Sequence, residues 1–146
     1  MSRDFSQDYG YNFEDLKVGM SASVARTVTE ADILMFAGVS GDTNPVHVDA
    51  EFAAASMFGG RIAHGMLSAG YFSTVFGTKL PGPGCIYLSQ TLKFKAPVKI
   101  GDTVVAKVTV KELNTEKRRA NFETVCMVGD KIVLDGQADI LVPARG

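Results

Sequence analysis

Residues 65 to 78 read GMLSAGYFSTVFGT, and they are apolar or small on nearly every side of the helix that they would form. A helix without a polar face is enclosed by other structure rather than lying on a surface. The segment is interrupted by glycine, serine and threonine, and it is shorter than the ~20 predominantly apolar residues that a membrane-spanning helix needs. The sequence therefore predicts a buried helix that starts at Gly65 and is wrapped by the rest of the chain.

Strands in the second half of the chain can supply this wrapping. Apolar residues alternate with lysine and threonine from Ala106 to Val110, and Leu92 and Phe94 alternate with lysines, as expected of a sheet with one buried face. The pair Gly129-Asp130 fits a two-residue hairpin turn. Together with a weakly alternating segment at 16–28, the pattern predicts strands within 85–98, 103–113, 118–128 and 131–143.

The first half of the chain predicts two further helices. Thr29 and Asp32 form an N-terminal capping signature, which predicts a helix over 30–40 that ends at a nearby glycine. Asp49 is placed to cap a short alanine-rich helix over 50–58. The elements together predict an α+β domain in which a curled antiparallel sheet wraps around a central helix, the architecture called a hot-dog fold.

The predicted organisation is a polar tail over 1–12 followed by one domain over 13–146, because 146 residues suffice for a single core and no repeat or linker divides them. A single sheet wrapped around one helix leaves an open strand edge. A second copy of the chain can cover such an edge, so we expect a homodimer or a higher homo-oligomer.

Charge and composition exclude several classes of function. The net charge of −1 gives no general attraction to nucleic acid or to an anionic membrane, so we expect neither as a partner. The polar, acidic first residues do not resemble a secretory signal or a transit peptide. Cys85 and Cys126 lie in apolar, strand-like stretches and are interpreted as buried thiols rather than a disulfide or a zinc site. These features predict a cytoplasmic protein.

The segment SGDTNPVHVD at 40–49 carries the residues with the most chemistry, and we expect it to be a loop. Proline restricts the residue before it to extended geometry, so Asn44-Pro45 should help to fix how Asp42 and His47 face each other. A carboxylate beside an imidazole can hold a water molecule and exchange protons with it near neutral pH. The alternative from the spacing alone is that Asp42 is a turn residue and His47 a hydrogen-bonded loop histidine.

A second segment, RIAHGML at 61–67, adds a possible oxyanion site. The backbone N–H of Gly65 would point out of the first turn of the predicted helix, at the positive end of its dipole. Glycine also allows a substrate carbonyl to approach the main chain closely. The alternative is that Gly65 only eases a tight turn into the helix.

These residues, SGDTNPVHVD followed by FGGRIAHGML, resemble those of the MaoC-like (R)-specific enoyl-CoA hydratases, the hydratase 2 family. The D-x-N-P-x-H core is complete, and the resemblance extends from FEDLKVGM to IYLSQTLKFKAPVKIGDTV. It implies a hot-dog dimer that adds water to a trans-2-enoyl thioester to give the (R)-3-hydroxyacyl product. It also implies that Asp42 and His47 are catalytic and that the Gly65 amide binds the thioester oxygen. Ser73 lies where the family tends to carry a serine, which would support the catalytic carboxylate by a hydrogen bond; the alternative is that Ser73 is only a buried hydroxyl of the helix.

Three basic residues and a second histidine are further candidates for ligand binding. Arg61, Lys93 and Lys95 are candidates for the phosphates of coenzyme A, although a solvated sheet face is the commoner explanation for such lysines. His64 and His47 lack compact metal-ligand spacing, so a structural role beside Gly65 is expected for His64 and no metal site is predicted.

The chemistry implied by the resemblance needs no metal or redox cofactor, since coenzyme A belongs to the substrate. Two other functions remain open at this point. A hot-dog acyl-CoA thioesterase would bind the same ligand but attack its carbonyl carbon, and a non-catalytic acyl-CoA-binding module would bind it without turnover. The complete pair of Asp42 and His47 favours an enzyme over a binding module.

Overall fold

The computed structural model describes residues 2–145 and has the predicted α+β architecture. A short 3-10 turn at Phe13–Asp15 precedes the regular elements. In chain order these are β1 (Ser21–Thr27), α1 (Glu30–Ser40), α2 (Pro45–Val48), α3 (Ala50–Ala55), α4 (Gly65–Thr78), β2 (Ile86–Gln90), β3 (Lys93–Phe94), β4 (Thr103–Asn114), β5 (Arg119–Val128) and β6 (Lys131–Leu141).

The strands form one antiparallel six-stranded sheet around α4. Their order is β1-β4-β5-β6-β2, with the short β3 also paired to β6. Helix α4 contacts β1, β4, β5 and β6, and its buried side chains are among those that form the core with the sheet. The predicted hairpin turn at Gly129-Asp130 joins β5 to β6, and the strand register closes at Val128 and Lys131. The predicted curled sheet around a central helix is therefore confirmed.

Helix α4 has the predicted bounds, but the single chain does not enclose it on every side. Ser68, Tyr71, Phe72, Val75 and Phe76 face the sheet and are buried. The opposite side is exposed; it carries Met66 in the first turn and only small residues after it: Gly70, Ser73, Thr74 and Gly77. The apolar pattern therefore predicted the buried face correctly and was wrong about the other face within one copy of the chain.

The helix caps follow the local sequence. Asp32 donates its backbone N–H to the Thr29 hydroxyl at 3.1 Å, and the Asp32 carboxylate accepts from Thr29 in return, which completes the capping box. Helix α1 ends at Gly41, whose φ of 79° is readily adopted by glycine. The Asp49 carboxylate caps α3 by accepting the Phe52 N–H at 3.0 Å, as predicted.

Two element boundaries differ from the predictions. Helix α3 ends at Ala55 rather than near Phe58, because the Ser56 backbone turns extended and both its N–H and its hydroxyl bond the Ala53 carbonyl. The predicted strand over 85–98 is split into β2 and β3. At the break the Thr91 carbonyl lies where a side chain on Gly136 would be, only 1.8 Å from the position of a Cβ atom.

The alternation in β3 also gave one wrong expectation. Phe94 is 54% exposed instead of facing the core. Its ring packs over the start of α4, where the Cβ of any side chain at Gly65 would lie 2.5 Å from it. The lysine-phenylalanine alternation therefore reflects a strand that passes over the end of the helix, not one that covers the core.

The remaining features concern the tail and the thiols. The backbone N–H groups of Gly10 and Tyr11 bond the 81–83 loop, so the tail is attached before residue 12. Cys85 and Cys126 are free thiols. Burial raises the pKa of Cys126 to about 12, so this thiol stays protonated and unreactive at neutral pH. Within 2–145, none of the helices has the length and apolar character needed to span a membrane.

Candidate active site

The segment expected to be a loop contains one helical turn, α2, which carries His47. Asn44 caps this turn by accepting the Val46 N–H at 3.1 Å, and Pro45 occupies its first position. Proline fits there because the N–H that it lacks would have no helical partner. The Asn44-Pro45 pair therefore does more than extend the chain, since it starts the turn that orients His47.

His47 is 8% exposed, and its local contacts determine which ring nitrogen is available for chemistry. Nδ1 lies 2.8 Å from the Ile62 carbonyl oxygen. A carbonyl only accepts hydrogen bonds, so Nδ1 carries the proton of the neutral ring and donates it. The other nitrogen, Nε2, is then left with a free lone pair, as a group that exchanges protons with water requires.

Asp42 lies beside this histidine at the exposed end of the site. Its Oδ1 accepts the Asn44 N–H at 3.2 Å, so Asn44 contacts the carboxylate through its main chain and orients His47 through its side chain. One carboxylate oxygen of Asp42 and one ring nitrogen of His47 lie within 4.8 Å of each other. Two hydrogen bonds of about 2.8 Å that meet at one water span about 4.6 Å, so a separation of this order allows both groups to bond the same water molecule.

Gly65 begins α4 beside the same histidine. No side chain caps this helix, and the Gly65 N–H has no acceptor among the described hydrogen bonds outside the helix. A free N–H at the positive end of a helix of 14 residues suits a developing negative charge. The Phe94 ring fills the space that a side chain at Gly65 would occupy, so the packing at this position requires glycine.

A cavity of about 570 Å³ opens at these residues. His47, Gly65 and Ser68 line it, and most of the remaining wall is apolar: Ile62, Phe94, Val98, Val133 and Leu134. The Ser68 hydroxyl is buried in this wall and has no hydrogen-bond partner in the described chain. Ser68 was not predicted from the sequence, although its position one turn after Gly65 places it at the same end of the helix.

The spacing of Asp42, His47 and His64 in the sequence did not indicate that the three side chains come together in the fold. The orientation of the two imidazole rings nevertheless does not fit a metal ion. Ligand atoms of Asp42, His47 and His64 lie within 4.8 Å of one another, so the fold makes the compact cluster that the sequence does not show. However, the two imidazoles are stacked, with centroids 3.9 Å apart and planes 27° apart. Their lone pairs lie in the ring planes and run side by side, so they do not converge on a common ion.

The fold already uses two nitrogens of the Arg61 guanidinium, whereas Nη2 is buried and has no hydrogen-bond partner in the described chain. Nε donates to the His47 carbonyl at 2.6 Å, and Nη1 lies 2.8 Å from each carboxylate oxygen of Glu30. The Arg61 side chain is only 15% exposed. Arg61 therefore joins the start of α1 to the turn that carries His47.

We expect Arg61→Met to destabilise the protein by about 1–3 kcal/mol, since it leaves the His47 carbonyl and Glu30 without their partner. The KM for crotonyl-CoA should rise no more than the KM for crotonyl-pantetheine, which has no nucleotide phosphates. Urea unfolding and the two KM values provide the measurement. A selective rise in KM for the coenzyme A substrate would return Arg61 to phosphate binding.

The other predicted residues are placed differently. Lys95 lines the cavity, although its Nζ is 3.1 Å from the Asp135 carboxylate, and Lys93 is exposed and has no ion pair in the described chain. Ser73 lies on the exposed side of α4, and no hydrogen bond joins it to Asp42 within residues 2–145. One copy of the chain therefore does not provide the contact expected of Ser73.

Comparison with known proteins matches this chain to a family over most of its length and to solved structures of the same fold. The family model described as "MaoC like domain" matches residues 14–136. An (R)-specific enoyl-CoA hydratase of Rhodospirillum rubrum is 59% identical over 92% of this chain and 93% of its own. A 3-hydroxybutyryl-CoA dehydratase of Methylorubrum extorquens is 51% identical over 91% and 85%. The solved structure of an (R)-hydratase from Aeromonas caviae involved in PHA biosynthesis has a TM-score of 0.87 and 40% identity, over 89% of this chain and 99% of that one.

Proposed function

Since this chain belongs to the MaoC-like domain family, we propose that it is an (R)-specific enoyl-CoA hydratase of the hydratase 2 type. It adds water reversibly to a trans-2-enoyl-CoA and yields the (R)-3-hydroxyacyl-CoA of fatty-acid or polyhydroxyalkanoate metabolism. The observation that carries this function is the close approach of Asp42 and His47, within 4.8 Å, beside the free amide of Gly65.

The geometry supports a balanced addition. The Gly65 N–H stabilises negative charge on the thioester oxygen, which makes C3 electrophilic. The water oxygen bonds to C3 while one of its protons passes to the Asp42/His47 pair, and the pair returns a proton to C2 of the enolate. In this proposal Asp42 orients and deprotonates the water, the proton passes from the Asp42 carboxyl group to the free lone pair of His47 Nε2, and Nε2 then delivers it to C2. The steps are proton transfer and addition, so they require no metal or redox cofactor.

The alternatives predict different products. A thioesterase would direct the same water to the carbonyl carbon and release free coenzyme A, whereas a binding module would leave the thioester unchanged. The free carbonyl-binding amide is compatible with both a hydratase and a thioesterase. The relatives that are 59% and 51% identical are a hydratase and a dehydratase, which favours attack at C3.

The test is to incubate the protein with crotonyl-CoA and follow the absorbance of the conjugated thioester together with free thiol. We expect the absorbance to fall without the appearance of thiol, because C3 is attacked and the thioester survives. Heat-denatured protein provides the background rate. Thiol that appears in step with substrate loss would replace the hydratase by a thioesterase, and an unchanged substrate would leave only a binding function.

We further propose that the chain forms a homodimer, which the open edge of the sheet supports. Strand β2 pairs only with β6, so its other edge is free. It exposes large apolar residues there, with Ile86 54%, Tyr87 36% and Leu88 41% exposed. A long apolar edge is a template for pairing with a second strand. The exposed small-residue side of α4 leaves room for a close approach of a second copy.

We expect Leu88→Lys to shift sedimentation from dimer toward monomer, because it places a charge on the proposed shared edge. Val105→Lys is the matched control, since Val105 is 39% exposed but lies on β4 inside the sheet. The control should remain a dimer. A wild-type protein that sediments as a stable, fully active monomer would contradict the proposal.

Two other assignments are proposals of the same kind. Lys93 and Lys95 meet the phosphates of coenzyme A, supported by the position of Lys95 in the cavity wall and by the lack of an ion pair at Lys93 in the described chain. The protein works in the cytoplasm, supported by two thiols that remain free although one is only partly buried.

A further inference from the structure

His64 lies where the three parts of the site meet. Nε2 donates to the main-chain carbonyl of Asp42 at 2.9 Å, and the ring stacks on His47 with centroids 3.9 Å apart. His64 directly precedes Gly65, whose amide binds the thioester oxygen in the proposed function. From these contacts, and resting on the proposed hydratase function, we propose that His64 is a positioning residue that holds the proton-transfer pair in register with the carbonyl-binding amide.

The hydrogen bonds of His64 differ from those expected of a histidine buried only for packing. The residue is 2% exposed, and buried polar atoms are normally all hydrogen-bonded. Nδ1 nevertheless has no partner in the described chain, and the residue lines the cavity. The one hydrogen bond from this ring to the protein is therefore the bond to Asp42.

That bond is important because the other hydrogen bonds of the segment around Asp42, within the described chain, join residues at most four positions apart. Residues 38–45 are all exposed, and the Asp42 N–H bonds only to the hydroxyl of Ser40 two residues before it. The bond from His64 connects this exposed backbone to a buried ring that also packs against Phe36, with centroids 4.7 Å apart. Loss of this bond frees the Asp42 carboxylate to shift relative to His47.

The direction of the bond makes the proposal specific to one ring nitrogen. The Asp42 carbonyl can only accept, so the proton of neutral His64 is on Nε2. Glutamine can place its side-chain N–H near the position of Nε2, whereas asparagine reaches only the position of Nδ1. The pair His64→Gln and His64→Asn therefore compares two amides that differ in where the donor lies.

We expect His64→Asn to lower kcat for crotonyl-CoA by about 10–100-fold, since a misplacement of about 1 Å in a catalytic group can cost 10²-fold. The KM should change by less than about threefold, because the cavity wall and the amide of residue 65 remain. His64→Gln should recover at least about tenfold of the lost kcat. Melting temperature shows whether each variant is folded at the assay temperature.

A double-mutant cycle with Asp42→Asn separates positioning from general support. If His64 acts through Asp42, His64→Asn should cost less than about twofold in the Asp42→Asn background, as expected of residues that act as a unit. An equal cost in both backgrounds, or equal activity of folded Gln and Asn variants, would overturn the proposal. If His64→Asn does not fold, the cycle uses His64→Gln instead. Any loss of kcat that His64→Gln causes in the wild-type background should likewise be absent in the Asp42→Asn background.

The same series distinguishes this proposal from the function on which it rests. Wild-type protein that does not hydrate crotonyl-CoA removes the hydratase function and the positioning role together. Wild-type protein that does hydrate it, with folded His64→Asn equally active, removes the role of His64 alone.

Discussion

Asp42→Asn and His47→Gln should each lower the turnover of crotonyl-CoA by about 10²–10⁴-fold, the usual contribution of a proton-transfer group. The reason is that both residues act on the same water in the proposed reaction. Asparagine keeps the shape of Asp42 but loses its basicity, and glutamine places a side-chain amide near the position of Nε2 without supplying a titrating nitrogen. Steady-state kinetics of the two variants provides the measurement.

The double variant should be little slower than the slower single variant, since groups that manage the same water fail together. Circular dichroism and melting temperature provide the control that α2 and the sheet remain folded. An active, folded His47→Gln variant would contradict the role of the pair and would leave His47 as a hydrogen-bonded structural histidine.

Gly65→Ala should have the second large effect, about 10²-fold on kcat/KM. The new Cβ would lie 2.5 Å from the Phe94 ring, so either the ring or the first turn of α4 has to move. Either movement disturbs the amide or the cavity beside it, and a shift of about 1 Å in a binding group can cost this much. Kinetics with crotonyl-CoA measures the loss.

Two further variants test the cause of that loss. Gly65→Ala combined with Phe94→Ala removes the clash and should regain at least about tenfold over Gly65→Ala alone. Gly38→Ala is the matched control, because it lies in α1 with no atom within 4 Å of its added Cβ and no positive φ. It should remain fully active. A fully active Gly65→Ala variant would show that neither the glycine nor its contact with Phe94 matters to catalysis.

Local signals in the sequence predicted those parts of the fold that local physics determines. The bounds of α4 followed from its apolar run, the caps from Thr29 and Asp49, and the buried face of β4 from strict alternation. The α+β class followed from the order of these elements. Each of these features depends on neighbours in sequence, which a single chain displays directly.

The sequence indicated least where the environment of a residue depends on distant segments. Arg61 is a candidate phosphate ligand by its charge, and its contacts with Glu30 and the His47 carbonyl form only on folding. Phe94 follows a strand pattern, yet β3 crosses the start of α4. His64 and Asp42 are separated by 22 positions, so no spacing rule could indicate that they share a hydrogen bond.

For the candidate site, the sequence predicted which residues carry the chemistry but not which contacts hold them in place. The segment at 40–49 indicated the pair Asp42 and His47, and RIAHGML indicated the amide of Gly65. The resemblance supplied the reaction. What the sequence did not indicate is how the pair is held, because the bonds from Ile62, Arg61 and His64 come from the segment that follows α3.

Isotope transfer tests directly whether a water held by Asp42 and His47 attacks C3 of an enoyl thioester. Crotonyl-CoA is incubated with the protein in water enriched in ¹⁸O, and the product is analysed by mass spectrometry before and after mild hydrolysis of the thioester. We expect one ¹⁸O atom in the C3 hydroxyl of an intact (R)-3-hydroxybutyryl-CoA, and no label from the Asp42→Asn/His47→Gln variant above its residual rate. Label in the carboxylate of a released acid, with C3 unchanged, would contradict the attack of water at C3.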